Sequence, residues 1–466
     1  MDLTTISATE LLADLSSGTI SAVDVMRSTL RRIGQVNGDV NAIVALRDED
    51  ALMSEASMLD SGPARGALHG LPIAVKDLVN VAGVVSSQGA SVFRDFVPDT
   101  DDLIVARMRA AGAILIGKTN TPEFGLGSHT FNPVYGPTRN PYDPARSCGG
   151  SSGGAAVALA TGMVALADGS DMMGSLRNPA AWNNVYGFRP SWGRVPSDPV
   201  GDGFLHQLST LGPMARSPQD LGVLLDVISG PDRRIPLVHR SDPVAPVRAF
   251  DLSGMRIGWL GDWGGAFPME TGILKLCRDA LAIFEWLGAQ VEPVDPPFEA
   301  GRIWDSWTCL RAWSVAMGLE PLLDQHADLK DSAQWELARG QALSAQEVHR
   351  ASLVRSEWFR TASDVFQRFD ALVLPSAQVW PFDVDIAYPD RIGDTAMDTY
   401  HRWMQVTVPV SLIGLPCLAV PAGFGPTGLP MGLQLFGPRG ADAQLLGMGA
   451  AYHAETRWPQ RRPAMP

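Results

Sequence analysis

With 466 residues, 45% of them apolar and 19% charged, the chain can build a sizeable core and is too poor in charge for a disordered protein. A formal charge of −13, with no basic run beyond Arg233-Arg234 and Arg461-Arg462, argues against a nucleic-acid or anionic-membrane surface. Four separated cysteines without C-x-x-C or zinc spacing read as reduced core thiols of a cytoplasmic protein, and the acidic amphipathic N-terminus is not a signal peptide.

In chain order, Ser7 and Glu10 form a capping-box pattern ahead of Leu11, Leu12 and Leu15. A second helix is expected over 21–33, with Val25, Met26, Leu30 and Ile33 on one face. The apolar run 71–75 then ends in Lys76, a pattern for a strand end with a buried lysine stem. Burial disfavours the ammonium form and lowers the lysine pKa, so such a lysine can act as a base. The chain has only four lysines, Lys76, Lys118, Lys275 and Lys330, which makes one in an apolar run notable.

A helix over 102–111 leads into a strand over 113–116. The stretch from Gly112 to Thr119 spells the phosphate-loop pattern G-x-x-x-x-G-K-T. Its middle, Ala-Ile-Leu-Ile, reads as a buried strand rather than an open loop, and Thr121-Pro122 stands where a helix should begin, so ATP binding is rejected. Lys118, also at a strand end, remains a rival to Lys76 as base.

Two Gly/Ser knots follow, at 149–154 and 169–175. Glycine leaves neighbouring N–H groups unobstructed, and a serine among glycines is open to attack a carbonyl. Either knot alone reads better as a flexible loop. Gly149-Gly-Ser-Ser-Gly153 also spells G-x-S-x-G, but Pro141 and Pro144 interrupt the strand that a nucleophile elbow needs. The run 155–160 suggests a helix packed very closely on a sheet.

Further on, 231–247 reads as a surface connection, 255–260 and 290–294 as strands, and 270–287 as an amphipathic helix. Residues 303–366 read as helical, with Trp304, Trp307, Trp313, Trp335 and Trp358 as core or pocket candidates. Strands are expected at 371–375 and 417–420, and one at 431–435 closes the sheet. No repeat or linker is evident. The expected fold is α/β: one large domain with a central mixed β-sheet flanked by α-helices.

The segments carrying Lys76 (GLPIAVKD), Ser151 (GGSSGG) and Ser175 (GSDMMGS) together resemble the amidase signature family of hydrolases, whose core holds a Ser–cis-Ser–Lys triad. The likeness extends to Lys118-Thr119-Asn120, Arg139-Asn140-Pro141, Gly187-Phe188-Arg189-Pro190 and the stretch from Gly428 to Gln434, so it covers most of the chain. It implies Ser175 as nucleophile, Ser151 as relay after a cis peptide, and Lys76 as base, with Lys118 structural. It implies an oxyanion hole from the N–H groups of Met172, Met173 and Gly174. Asp171 pairing with Arg177, and Ser152 bonding Lys76, would support the site; Leu126, Gly127 and Ser128 would line the pocket. The catalytic core would span about 60–230 and 370–450, with a helical lid at about 265–368. Two departures stand out: Met172-Met173 where many members carry glycines, and Cys148 where a proline is usual.

The implied activity is hydrolysis of apolar or aryl carboxamides, extending to esters, anilides and carbamates (urethanes), by a monomer or homodimer with no metal or cofactor. Two alternatives stay open: the glutaminase subunit of a tRNA-dependent amidotransferase, and a catalytically inactive binding protein on the same scaffold.

Overall fold

The expected capping box forms at the first helix, and the second helix proves to have one as well. The Ser7 hydroxyl accepts from the Glu10 N–H and the Glu10 carboxylate from the Ser7 N–H, opening the helix Ala8–Ser17; Ser21 and Asp24 do the same for Ala22–Val40. The second helix outruns its expected end at Ile33 because Val36 and Val40 continue its buried face. The computed structural model describes residues 2–465 except 199, 201, 206, 239 and 324–328. Parts of the expected surface connection (residue 239) and of the expected helical region (324–328) therefore lie outside the described residues.

The main sheet has eight strands in the order Gln290–Pro293, Arg256–Trp259, Ala371–Pro375, Pro430–Phe436, Cys417–Phe424, Tyr186–Arg189, Thr210–Ala215 and Leu166–Asp171. The first three run parallel and every later pairing is antiparallel, so the sheet is mixed, in a single α/β domain. One expectation is corrected: the strand at 431–435 does not close the sheet. Pro430–Phe436 is its fourth strand, hydrogen-bonded on both sides and wholly buried.

A second sheet pairs Ile114–Thr119 with Ile43–Val44 antiparallel and with Pro72–Lys76 in parallel. Every residue of Ile114–Thr119 is buried and extended, Lys118 included, so this stretch offers no phosphate cradle. The two sheets are joined where the Lys76 N–H donates to Asp168 Oδ1 at 2.9 Å.

The run 155–160 falls in Gly153–Ala160, a helix with every residue buried. A Cβ on Gly154 would lie 2.3 Å from the Asn120 nitrogen, so only glycine lets this helix approach the strand end so closely. Before it, prolines do not prevent pairing as expected: Arg139–Asn140 and Asp143–Ser147 form a hairpin. That hairpin stands outside the main sheet and leaves Pro144 exposed, the edge position a proline tolerates. Cys148, Cys277 and Cys417 are buried free thiols, whereas Cys309 is half-buried rather than core.

The helical region resolves into Ala300–Leu323, Asp331–Gln341 and Ala345–Val365. Trp304, Trp307 and Trp358 are buried core residues, while Trp335 is exposed. Among the described residues no helix is long and apolar enough to cross a membrane.

Gly154→Ala should lower stability by ~1–3 kcal/mol through overpacking. Gly38→Ala, in an exposed helical position with nothing within 4 Å of the added Cβ, should leave it unchanged or raise it by up to ~1 kcal/mol. Denaturant unfolding of both variants checks the pair.

Candidate active site

Lys76 ends its strand with a side chain that has no contact with solvent. Its Nζ lies 2.8 Å from Ser151 Oγ, 2.8 Å from Ser152 Oγ and 3.0 Å from Ser170 Oγ. Burial drives its pKa down to about 7, while the carboxylates of Asp168 and Asp171 pull the other way. Lys118 has a different environment: its ammonium bonds the Val79 carbonyl and Ser86 Oγ and stands 3.6 Å from Asp77. None of the serines of the two knots contacts it, so the structure separates the two strand-end lysines.

Ser151 follows a cis Gly150–Ser151 peptide. The Ser128 hydroxyl donates to the Gly150 carbonyl at 2.6 Å and lies 3.1 Å from Asn178 Oδ1. Ser128 thus braces the serine loop. Leu126 and Gly127 face the cavity that contains Ser151 and Ser175, but Ser128 turns to a neighbouring cavity, which corrects its expected place in the pocket wall.

Asp171 organises the second knot. Arg177 grips it with Nε at 3.0 Å from Oδ2 and Nη2 at 2.9 Å from Oδ1, and Arg189 adds Nη1 at 3.1 Å from Oδ1. All three side chains are fully buried. Burial alone would raise the Asp171 pKa, but Arg177 and Arg189 outweigh it and hold the carboxyl well below the ordinary range. The same carboxylate accepts the N–H of Gly174 at 2.9 Å and of Leu176 at 3.1 Å, which folds the loop around Ser175. Arg177 reaches on to Gln434 Oε1 at 2.6 Å and Ser411 Oγ at 2.6 Å, tying the loop to the sheet centre.

Those contacts correct the expected oxyanion donors. The Gly174 N–H is committed to Asp171, whereas those of Met172, Met173 and Ser175 have no protein acceptor among the described residues. Gly174 has φ +87°, the left-handed geometry in which glycine is favoured, and an added Cβ would lie 2.7 Å from Thr407 Cγ2.

Ser151, Ser170 and Ser175 open on one cavity of about 340 Å³. Its apolar walls include Leu78, Phe124, Met172, Met173 and Leu319. The helix Ala300–Leu323 forms one side through Arg311, Val315 and Leu319. No described tryptophan lines this cavity, contrary to the expected tryptophan contribution. Ser175 lines the same cavity as Ser151, but no hydrogen bond joins the two hydroxyls; such contacts often tighten only with substrate in place. Among the described residues no group of three or more His, Cys, Asp or Glu side chains is arranged to hold a metal ion.

Sequence reasoning missed Ser170, Asp168, Arg189 and Arg311. The first two carried a signal, since positions 168 and 170 of one strand point to the same face, here the face toward Lys76. Arg189 belongs to a stretch of the family likeness that carried no role for it. Arg311 had no local signal.

Residues 24–446 match the family described as Amidase. An acylamidase from Rhodococcus erythropolis is 32% identical, over 98% of this chain and 97% of its own length. The A component of the glutamyl-tRNA(Gln) amidotransferase of Chromohalobacter salexigens is 34% identical, over 98% of each chain. The solved structure of a bacterial aryl acylamidase of the amidase signature family superposes with a TM-score of 0.91 at 31% identity, covering 98% of this chain and 97% of that one. The chain belongs to the amidase signature family, and it is a hydrolase of C–N bonds.

Asp171→Asn removes the countercharge of two buried guanidinium groups. It should cost ~3–5 kcal/mol of stability in denaturant unfolding, and a loss under ~1 kcal/mol would contradict the role given to this carboxylate.

Proposed function

We propose that the protein hydrolyses carboxamides through an acyl-enzyme on Ser175. The observation that carries this reading is the dry amine of Lys76, hydrogen-bonded to Ser151 at the cavity that Ser175 also lines. With its pKa at about 7, Lys76 is substantially neutral near neutrality and can accept a proton. Ser175 Oγ attacks the carbonyl carbon as its proton passes to Ser151 and the Ser151 proton passes to Lys76. The tetrahedral oxyanion is met by the N–H groups of Met172, Met173 and Ser175. The C–N bond then breaks, the amine leaves with the proton returned through Ser151, and the acyl group remains on Ser175. Water repeats the sequence and releases the acid.

The hydrocarbon walls and modest volume favour small aryl or alkyl amides. Esters, anilides and carbamates present the same electrophilic carbonyl and fall within reach of the same chemistry. A second reading, the glutaminase subunit of a tRNA-dependent amidotransferase, is favoured by the 34% identity to such a protein. Glutamine carries an ammonium and a carboxylate, which the predominantly apolar walls suit less well. Ammonia release from glutamine, measured with and without partner subunits, separates the two.

Ser175→Ala should lower kcat by about 10⁴-fold or more while leaving thermal unfolding unchanged. A fluorophosphonate probe should add to Ser175 of the unaltered protein by intact mass and peptide mapping. An adduct elsewhere, or undiminished turnover by the variant, overturns the assignment. A base works only when unprotonated, so kcat/KM should rise with pH through about 7 and then level. A profile already at its maximum near pH 5 would remove Lys76 from the role of base.

A further inference from the structure

Among the described residues, the hydrocarbon-walled reaction cavity is lined by one cationic side chain, and the partners described for it leave part of its hydrogen-bonding capacity unfilled. Arg311 is 3% exposed and lines the cavity. Its Nε donates to Glu336 Oε1 at 2.6 Å and its Nη2 to Tyr400 Oη at 2.8 Å. The Tyr400 hydroxyl donates in turn to the same Glu336 oxygen at 2.7 Å. Nη1 has a different partner, the Met172 Sδ at 3.3 Å. A guanidinium carries five N–H donors and a thioether is a weak acceptor, so most of that outer arm's capacity is unspent. Met172 belongs to the Ser175 loop and lines the same cavity, which brings this arm to the edge of the reaction centre.

Charge decides what such an arm prefers. Glu336 is fully buried against Arg311, so the pair presents little net charge to the cavity. A substrate carboxylate would lose its water, gain little net attraction from an already neutralised guanidinium, and feel Glu336 behind it. An uncharged oxygen acceptor takes the Nη1 donors without that desolvation cost, and it gains a charge-assisted hydrogen bond that a hydrocarbon group cannot make.

Resting on the amide-hydrolase reading above, we propose that Arg311 is a specificity-determining residue. It selects amides that carry an uncharged oxygen acceptor, such as a ketone or ether oxygen, beside the scissile bond on an otherwise apolar frame. Hydrocarbon isosteres and carboxylates are disfavoured.

The test uses isosteric substrate pairs on the whole protein. For the acyl half, the anilide of 4-oxopentanoic acid is compared with that of 4-methylpentanoic acid. For the amine half, 4′-acetylacetanilide is compared with 4′-isopropylacetanilide. In at least one pair the ketone should show a KM lower by about tenfold or more, as expected for one hydrogen bond to a charged donor. Replacing the ketone by a carboxylate should raise KM. Arg311→Lys, which keeps a countercharge for Glu336 but loses the fork, should bring the ketone-to-hydrocarbon ratio of kcat/KM toward one, as should Arg311→Gln combined with Glu336→Gln. Comparing both members of a pair in both proteins cancels their intrinsic reactivity. Equal KM values in both pairs of the unaltered protein, or a lower KM for the carboxylate, would overturn the inference whether or not the variants fold. If no amide is cleaved and Ser175 forms no adduct, the hydrolase reading itself has failed instead.

Discussion

A lysine amine removed from water and surrounded by hydroxyl groups is the arrangement on which this site depends. Transferring Lys76 from solvent disfavours its charged form, and the three hydroxyls of Ser151, Ser152 and Ser170 supply hydrogen bonds without supplying charge. Carboxylates are kept at one remove. Asp168 holds the backbone N–H of Lys76, and Asp171 is engaged by two arginines. Their attraction moderates the shift without abolishing it, and the amine titrates near neutrality.

Placing that amine requires backbones to meet closely. Lys76 ends a strand of the small sheet, Ser170 belongs to the edge strand of the large one, and Ser151 and Ser152 stand just ahead of the buried helix Gly153–Ala160. Glycine at 153 and 154 lets that helix press against Thr130 and Asn120, where a Cβ would fall within 2.3 Å of a neighbouring atom in each case. The Asp171, Arg177, Arg189 and Gln434 network then anchors the Ser175 loop to the interior of the large sheet. Although Arg189 Nε has no partner among the described residues, a buried network with this many bonds supports one loop geometry over others.

Walls and machinery have separate origins in the chain. The serine loops and Lys76 come from the segment between 72 and 175, whereas Arg311, Val315 and Leu319 come from a helix far along the sequence. Relatives called an acylamidase and an amidotransferase component share about a third of this sequence over nearly its whole length. A frame held in common, with walls supplied by a separate helix, is a physical basis for different substrates on one fold.

Much of the local architecture was legible from residue order alone. Ser7 and Glu10 announced one helix start, the apolar period from Val25 to Ile33 announced a second helix, and the apolar run before Lys76 announced a strand with a buried lysine. Such signals reside in neighbours along the chain, so propensity and periodicity disclose them. The tertiary structure decided what distant segments do to one another: Asp171 consumes the Gly174 amide, Ser128 braces Gly150 instead of facing the cavity, Pro430–Phe436 lies inside the sheet, and Arg311 rather than a tryptophan enters the reaction cavity. Each of these depends on hydrogen-bond geometry or on packing between elements, and a period along one strand or helix says which face is buried but not what it is buried against.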